Sequence, residues 1–251
     1  MRTILSLLFL LLLFPAQALS QRYELPSGAR VIETRAIPSK AHRNRALVMW
    51  MLRPKKNPRD TPGEPYTCPE ETRGHYYSGP LRVSLADTGT RRVINTLQII
   101  PDYSDDEDSF DIPYKIHNGY YTVTGLRRGE KEGVPVIMRL RDYNGDGRAQ
   151  EFALFDALAC MGLPTTLIGY SESKDRVIQY PVNVEAIQGV NRWRKSLYWP
   201  DYLFSRQPLG PGYWKYEIDY RGRGGSLDRW EIRYNRRLEV FEGTLTYIPG
   251  D

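Results

Sequence analysis

The sequence predicts a mainly β fold, in the form of an antiparallel β-sandwich or a meander-like or barrel-like domain. Three observations predict it. The 18 prolines and 21 glycines are scattered along the chain and leave little room for long amphipathic helices. Short runs of β-branched, aromatic and leucine residues lie between turn residues. Several of these runs alternate apolar and polar residues, which is the period of a strand with one buried face.

The first half of the chain contains two strong strand signals. Residues 46–52 (ALVMWML) are continuously apolar, which predicts a buried strand. Residues 81–87 alternate, the turn sequence 87–90 follows, and residues 93–99 are apolar again at every second or fourth position, so we expect a β-hairpin. Residues 53–74 are rich in proline and charge and predict a long surface loop.

The middle of the chain adds shorter elements. Residues 119–126 and 134–140 predict strands, and residues 165–170 and 176–182 flank a turn and predict a second hairpin. Residues 151–161 (EFALFDALACM) suit either a short helix or a strand, and the neighbouring strands favour a strand. Residues 101–113 carry six acidic side chains without a fixed spacing, which indicates a solvated loop rather than a second metal site.

The C-terminal part predicts a β-meander. Residues 213–220 and 227–234 alternate, the glycine-rich stretch 221–226 turns between them, and residues 238–248 follow a second turn. Residues 184–197 are the best helix candidate by composition, apart from Gly189.

The N-terminus predicts an exported protein. Residues 1–20 carry one early charge, an apolar run over residues 4–14, and Ala16 and Ala18 in the A-x-A arrangement of a signal-peptide cleavage site. The run is shorter than the roughly 20 residues of a stable membrane span. We expect residues 21–251 to form a single mainly β domain; the alternative is a subdivision near residues 183–212. We also expect the protein to be periplasmic or secreted, with no membrane span after removal of the signal peptide.

The charge of the chain argues against nucleic acid as a partner. The formal net charge is +5, and charges of both signs are spread along the sequence. The two cysteines, Cys68 and Cys160, predict a disulfide because exported proteins fold in oxidising surroundings; the alternative is a buried thiol at Cys160.

Residues 142–152 (DYNGDGRAQEF) are the clearest chemical signal. Counted from Asp142, the side-chain oxygens of Asn144 and Asp146 occupy the third and fifth positions, and Gly145 and Gly147 permit the tight bend that brings them together. A hard cation such as Ca²⁺ needs several oxygen ligands around one point. Arg148 at the seventh position would add its backbone carbonyl. Glu151 at the tenth would complete the shell, directly or through water.

The loop resembles one calcium-loop family and differs from another. An EF-hand needs a glutamate at the twelfth position, where this chain has Ala153, and a helix before the loop, where this chain has a strand-like run. The pattern D-x-N-G-D-G resembles the calcium loops of FG-GAP/VCBS repeats, over about a dozen residues and in one copy. That resemblance implies a Ca²⁺ site between two strands, with an acidic ligand at the ninth position, where this chain has Gln150. The alternative is a plain turn, since Asn-Gly and Asp-Gly favour hairpins.

No catalytic motif stands out. His42, His75 and His117 lie in no zinc-binding pattern. Residues 169–173 (GYSES) follow G-x-S-x-G until Ser173 replaces the last glycine, so a nucleophile elbow is disfavoured.

Residues 193–214 interleave aromatic and basic residues. Trp193, Trp199 and Trp214 are candidates for stacking on sugar rings if their side chains are exposed. The alternative is that these aromatic residues pack in the core of the β-domain.

The sequence therefore predicts an exported β-rich protein with a structural Ca²⁺ loop and a binding or scaffolding role at or outside the cell envelope. The alternatives are a carbohydrate-binding module that uses the aromatic surface, with a glycan or a cell-envelope component as its partner, and an exported hydrolase without a recognisable site. The balance leans against an enzyme.

Overall fold

The structure is a computed structural model that describes residues 23–57, 72–73, 76–99, 110–112, 115–116, 122–124, 134–155, 165–197 and 208–250. These residues form strands and a 3₁₀ turn at Arg221–Arg223, and they contain no α-helix. The predicted mainly β class is confirmed. Across the same residues, no helix is long and apolar enough to cross a membrane.

The strands are numbered along the chain. They are β1 (Ala29–Ala36), β2 (Arg45–Leu52), β3 (Lys55–Asn57), β4 (Thr72–Arg73), β5 (Tyr76–Gly79), β6 (Leu81–Asp87), β7 (Val93–Gln98), β8 (Phe110–Ile112), β9 (Lys115–Ile116), β10 (Thr122–Thr124), β11 (Val134–Val136), β12 (Glu151–Phe155), β13 (Thr165–Ser171), β14 (Arg176–Gln179), β15 (Val182–Gln188), β16 (Asn191–Leu197), β17 (Tyr213–Asp219), β18 (Ser226–Asn235) and β19 (Val240–Pro249).

The first sheet has the strand order β1-β2-β6-β7, and all its pairs are antiparallel. Its central strands are buried on both faces. Leu47 and Met49 of β2 face one core, whereas Val48 and Trp50 pack on the opposite side with Tyr23. This explains why residues 46–52 are continuously apolar instead of alternating.

The second sheet, β12-β13-β14, is the middle layer. All seven residues of β13 are buried. Ile168 and Tyr170 belong to the core shared with the first sheet, and Leu167 belongs to the core shared with the third. Because side chains alternate along a strand, β13 must contact a layer on each face.

The third sheet has the order β16-β15-β19-β18-β17. The predicted C-terminal meander β17-β18-β19 is confirmed, with antiparallel pairing throughout. β15 joins it in parallel to β19 and forms a hairpin with β16. Strands before and after residues 198–207 therefore belong to one sheet.

The helix predicted over residues 184–197 is wrong. The segment lies in the β15–β16 hairpin, where Val184 and Ala186 are buried and Asn183 is exposed. Gly189 turns the chain at φ +57°, a left-handed conformation that glycine adopts without strain. Composition suggested a helix, but the burial follows a period of two from the start of β15.

Several shorter predictions are confirmed among the described residues. Strands form at residues 46–52 and 151–155, and hairpins at β6–β7 and β13–β14. Part of the predicted loop 53–74 is instead strand, because β3 pairs with β5 and β4 pairs with β9. Of the predicted acidic loop 101–113, residues 110–112 form β8, and the rest lies outside the described residues.

The predicted strand 134–140 is shorter than expected, and of the predicted strand 119–126 only residues 122–124 lie within the described part of the chain. The structure describes β10 and β11 there, paired antiparallel. Beyond β11, the N–H groups of Ile137 and Met138 donate to Glu33 Oε2 at 2.7 and 3.3 Å instead of to a neighbouring strand. A side chain thus replaces the ladder and ends the strand.

Candidate metal-binding loop

Residues 142–150 form a closed loop that leads into β12. The loop is closed by Arg141 and Glu151, which exchange backbone hydrogen bonds of 2.7 and 3.0 Å. This pair fixes the separation of the two ends. The residues between them must therefore satisfy their polar groups within a short bend.

Asp142 organises the loop from its first position. Its Oδ1 accepts the backbone N–H groups of Gly145 and Asp146 at 2.7 and 3.0 Å. Its Oδ2 accepts the N–H of Gly147 at 2.8 Å. Three successive N–H groups therefore converge on one carboxylate, and the glycines at 145 and 147 adopt φ values of +74° and +88°.

Asn144 and Asp146 continue the same pattern. Asn144 Oδ1 accepts the N–H of Asp146 at 2.9 Å, and Asp146 Oδ1 accepts the N–H of Arg148 at 2.8 Å. Asp142 and Asp146 are exposed, whereas Asn144 is buried. Each carboxylate or amide oxygen has two lone pairs, so all three side chains retain acceptor capacity.

Glu151 lies beneath the loop and is fully buried. Its Oε2 accepts the N–H groups of Tyr143 and Asn144 at 2.8 and 3.3 Å, and its Oε1 accepts Asn144 Nδ2 at 3.0 Å. The pKa of Glu151 is raised to about 8, mainly by burial and also by the nearby charges of Asp146 and Asp142, against the lowering effect of the two N–H groups. Both oxygens of the predicted closing ligand are thus engaged inside the protein.

Arg148 connects the loop to the rest of the molecule. Its backbone carbonyl, the predicted ligand atom, accepts the N–H of Gln150 at 3.1 Å. Its guanidinium forms an ion pair with Glu172 on the β13–β14 turn. A carbonyl oxygen can accept a second partner, so this position remains compatible with a cation.

The donor set of the loop fits a hard cation only in part. Within the described ranges, no three or more His, Cys, Asp or Glu side chains converge on a common point. Two exposed carboxylates, Asp142 and Asp146, supply the charge. The remaining ligands of a Ca²⁺ ion would be the amide oxygen of Asn144, a backbone carbonyl and water.

A segment before β17 packs directly against the loop. A Cβ on Gly145 would lie 2.4 Å from the carbonyl carbon of Pro211, and a Cβ on Gly212 would lie 2.6 Å from the oxygen of Asn144. Arg236 Nη2 donates to the oxygen of Gly145 at 2.7 Å. The loop is therefore held against the third sheet by backbone contact.

The predicted stacking residues lie in different surroundings. Trp214 is only 2% exposed and packs in the core near Tyr143, with ring centroids 6.3 Å apart, so it presents no face to a ligand. Trp193 is 38% exposed. Trp199 lies outside the described residues, as do Cys68, Cys160 and the predicted signal peptide. The predicted disulfide therefore stays a prediction.

The turn 171–175 is a polar centre that local sequence patterns do not reveal. Arg45 Nε and Nη2 bind the two oxygens of Asp175 at 2.9 and 2.8 Å, and its Nη1 binds Asp87 at 2.6 Å. Tyr170 donates its hydroxyl to Asp175 at 2.9 Å. Arg45 lies 130 residues before Asp175 and 42 residues before Asp87, and only the alternating hairpin around the turn is visible in the sequence.

The serine of the GYSES stretch belongs to the same turn. Ser171 is 3% exposed and donates to Glu239 at 3.0 Å. Ser173 also donates to Glu239 at 2.6 Å, and Lys174 forms an ion pair with it at 2.6 Å. These contacts tie the turn to the β18–β19 turn. They account for both serines without a catalytic role.

Comparison with models of known protein families, with curated proteins and with solved structures gave no significant match.

Proposed function

We propose that residues 142–148 bind one Ca²⁺ ion with a structural role, in an exported β-rich protein that binds or scaffolds components at or outside the cell envelope. The observation that carries the proposal is the alternation of Asp142, Asn144 and Asp146, whose oxygens already gather the loop's N–H groups and still retain lone pairs. A plain turn needs one Asn-Gly or Asp-Gly pair and no acidic residue at its first position.

Electrostatics supports the proposal. The loop carries two exposed carboxylates, and a third, Glu151, lies buried close enough for both to raise its pKa. A bound cation would offset this repulsion. Ca²⁺ suits the loop better than Mg²⁺, because it accepts about six to eight oxygens in flexible geometry whereas Mg²⁺ demands a near-ideal octahedron.

Glu151 would then act as a support rather than as a direct ligand. It holds the N–H groups of Tyr143 and Asn144 and the amide nitrogen of Asn144, so that the oxygen of Asn144 is the atom that faces the N–H of Asp146. Metal ligands are commonly oriented by such outer hydrogen bonds.

The position of the loop supports a structural role. It contacts Pro211 and Arg236 of the C-terminal part, and Arg148 reaches the turn that joins β13 to β14. A ligand that binds only the folded state at one hundred times its Kd adds about 2.7 kcal/mol to the free energy of unfolding. Calcium would therefore stabilise a junction between layers.

Calorimetry with Ca²⁺, together with terbium luminescence, tests the site. We expect one equivalent to bind and the melting temperature to rise. Asp146→Asn should weaken binding at least about tenfold, because it removes one of only two charged ligands. Asp219→Asn, on an exposed carboxylate far along the chain, is the matched control and should bind as wild type. A full chain that binds no Ca²⁺, or an Asp146→Asn variant with unchanged affinity, would refute the proposal.

Export is tested separately. Intact-mass measurement of the protein recovered from the periplasm or medium of a bacterial host should show cleavage after Ala18 or Ser20. Retention of the full chain inside the cell would contradict export and would leave the calcium test unaffected.

A further inference from the structure

A partly exposed aromatic pair lies at the edge of the third sheet. The rings of Trp193 and Tyr247 are stacked, with centroids 5.8 Å apart and planes inclined by 8°. Trp193 lies on β16, the terminal strand of this sheet, and is 38% exposed, while Tyr247 on β19 is half-buried. The two strands are separated by β15, where the residue in register with Trp193 is Ala186. Its small side chain leaves room for the rings to meet above it.

The strand register arranges the same face of the sheet in rows. The row of Trp193 continues through buried residues, namely Ala186, Leu245, Trp230 and Tyr216. The next row, nearer the turn that joins β15 to β16, consists of Asn191, Gln188, Tyr247, Asp228 and Ile218. The aromatic pair thus borders on three planar polar side chains, those of Asn191, Gln188 and Asp228.

The polar row is accessible. Gln188 and Asn191 are exposed, and Asp228 is half-buried and accepts the hydroxyl of Ser226 at 2.5 Å. The amides offer donors and acceptors, and the carboxylate offers acceptors. They flank the ring of Tyr247 on both sides in the register.

This combination matches the chemistry of a pyranose ring. One face of such a ring carries C–H groups, which can stack on an aromatic side chain. The rim of the ring carries hydroxyls that both donate and accept hydrogen bonds. Ligand sites of this kind combine apolar and aromatic surface with a few placed polar groups. Tryptophan and tyrosine also provide rigid contact area at low entropic cost.

Charge favours a neutral sugar over a nucleotide. Among the ten side chains of the two rows, Asp228 is the only charged one, and its charge is negative. A phosphate-bearing ligand would need a cation beside the aromatic surface. A neutral hexose unit needs none.

We propose that Trp193, Tyr247, Gln188, Asn191 and Asp228 form a binding site for the neutral pyranose units of a glycan chain. The site is independent of the calcium loop and uses other residues.

Isothermal calorimetry of the full chain with cellohexaose, xylohexaose, mannohexaose and chitohexaose tests the proposal. We expect at least one of them to bind, with quenching or a shift of tryptophan fluorescence. Trp193→Ala should weaken that binding about tenfold or more, as truncation of an aromatic anchor does. Trp193→Tyr should retain most of it, because a ring remains.

Matched variants separate binding from folding. Gln188→Ala and Asn191→Ala change exposed residues and should each weaken binding without a change in melting temperature. Val190→Ala, on a residue 95% exposed at the tip of the same hairpin, should bind as wild type. Asp146→Asn should also leave glycan binding unchanged. Binding to none of the four oligosaccharides, or binding that Trp193→Ala leaves intact, would overturn the proposal.

Discussion

The Glu151 carboxylate accepts the backbone N–H of Tyr143 at 2.8 Å, and this contact ties the first strand residue after the loop to the second residue within it. The same carboxylate accepts the amide nitrogen of Asn144. Asn144 cannot reverse its amide to compensate for a lost acceptor, because its oxygen already accepts the N–H of Asp146. Glu151 therefore sets the orientation of Asn144, a candidate metal ligand, without having to coordinate the metal itself.

Glu151→Gln should destabilise the protein by about 1–3 kcal/mol, the cost of a buried donor without an acceptor. An amide nitrogen in place of one carboxyl oxygen would face another donor, either Asn144 Nδ2 or the N–H groups above it. A protonated carboxyl still has lone pairs on both oxygens, whereas an amide nitrogen has none. Urea unfolding measures the difference. Glu242→Gln, on an exposed side chain that bonds Asn235, is the control and should change little.

The loop glycines provide a second prediction, because they share a backbone conformation and differ in surroundings. Gly145 and Gly147 both have positive φ, so alanine at either position costs about 1–2 kcal/mol of strain. At Gly145 the added Cβ also meets Pro211 at 2.4 Å, whereas at Gly147 it meets nothing within 4 Å. Gly145→Ala should therefore lower the melting temperature clearly more than Gly147→Ala. Equal effects of the two variants would mean that Pro211 does not pack on the loop.

How much of this site the sequence predicts depends on how far apart in the sequence the contacting residues are. The positions of Asp142, Asn144 and Asp146 could be interpreted because their hydrogen bonds are local, spanning two to five residues. The role of Glu151 could not, because it depends on complete burial beneath the loop, which the sequence does not show. The hairpins β6–β7 and β13–β14 were predictable from alternation and turn residues. Pairing that depends on distant partners, such as β15 beside β19, leaves no signal in either segment alone.

Asn95 links the first sheet to the second. Its side-chain Nδ2 donates to the carbonyl of Val177 at 3.0 Å, and its Oδ1 accepts the N–H of the same residue at 3.0 Å. The amide thus takes the place of a neighbouring strand for β14.

Asn95→Leu should cost about 1–3 kcal/mol of unfolding free energy, because it leaves both backbone groups of Val177 without this partner. Urea denaturation measures the loss. Ile94→Ala provides the control on the adjacent residue, which is 38% exposed, and should have a smaller effect. If the Asn95→Leu variant were as stable as wild type, the sheet-to-sheet link would have to lie elsewhere.

Asp175 predicts a pH dependence at the acidic end. Hydrogen bonds from Arg45 lower its pKa below 3.8, with Tyr170 and the charge of His42 acting in the same direction and partial burial opposing them. A carboxylate whose pKa is lower in the folded state than in the unfolded state stabilises the fold above the unfolded value. That contribution is lost as the pH falls through the folded pKa. The other groups facing this carboxylate are Asp87, which shares Arg45, and the hydroxyl of Tyr170.

Asp175→Asn should therefore lower the melting temperature near neutral pH, by about 2–4 °C for each kcal/mol of unfolding free energy that is lost. It should also make the melting temperature fall less steeply as the pH is lowered below 3.8. Asparagine tolerates the left-handed backbone at this position, where φ is +45°, so the backbone need not change. Thermal melts across the acidic range measure both effects. Glu217→Gln removes an exposed ion pair with Arg229, and this control should follow the wild-type curve because such pairs contribute little. Parallel curves for wild type and Asp175→Asn would show that the Arg45–Asp175 pair does not govern acid stability.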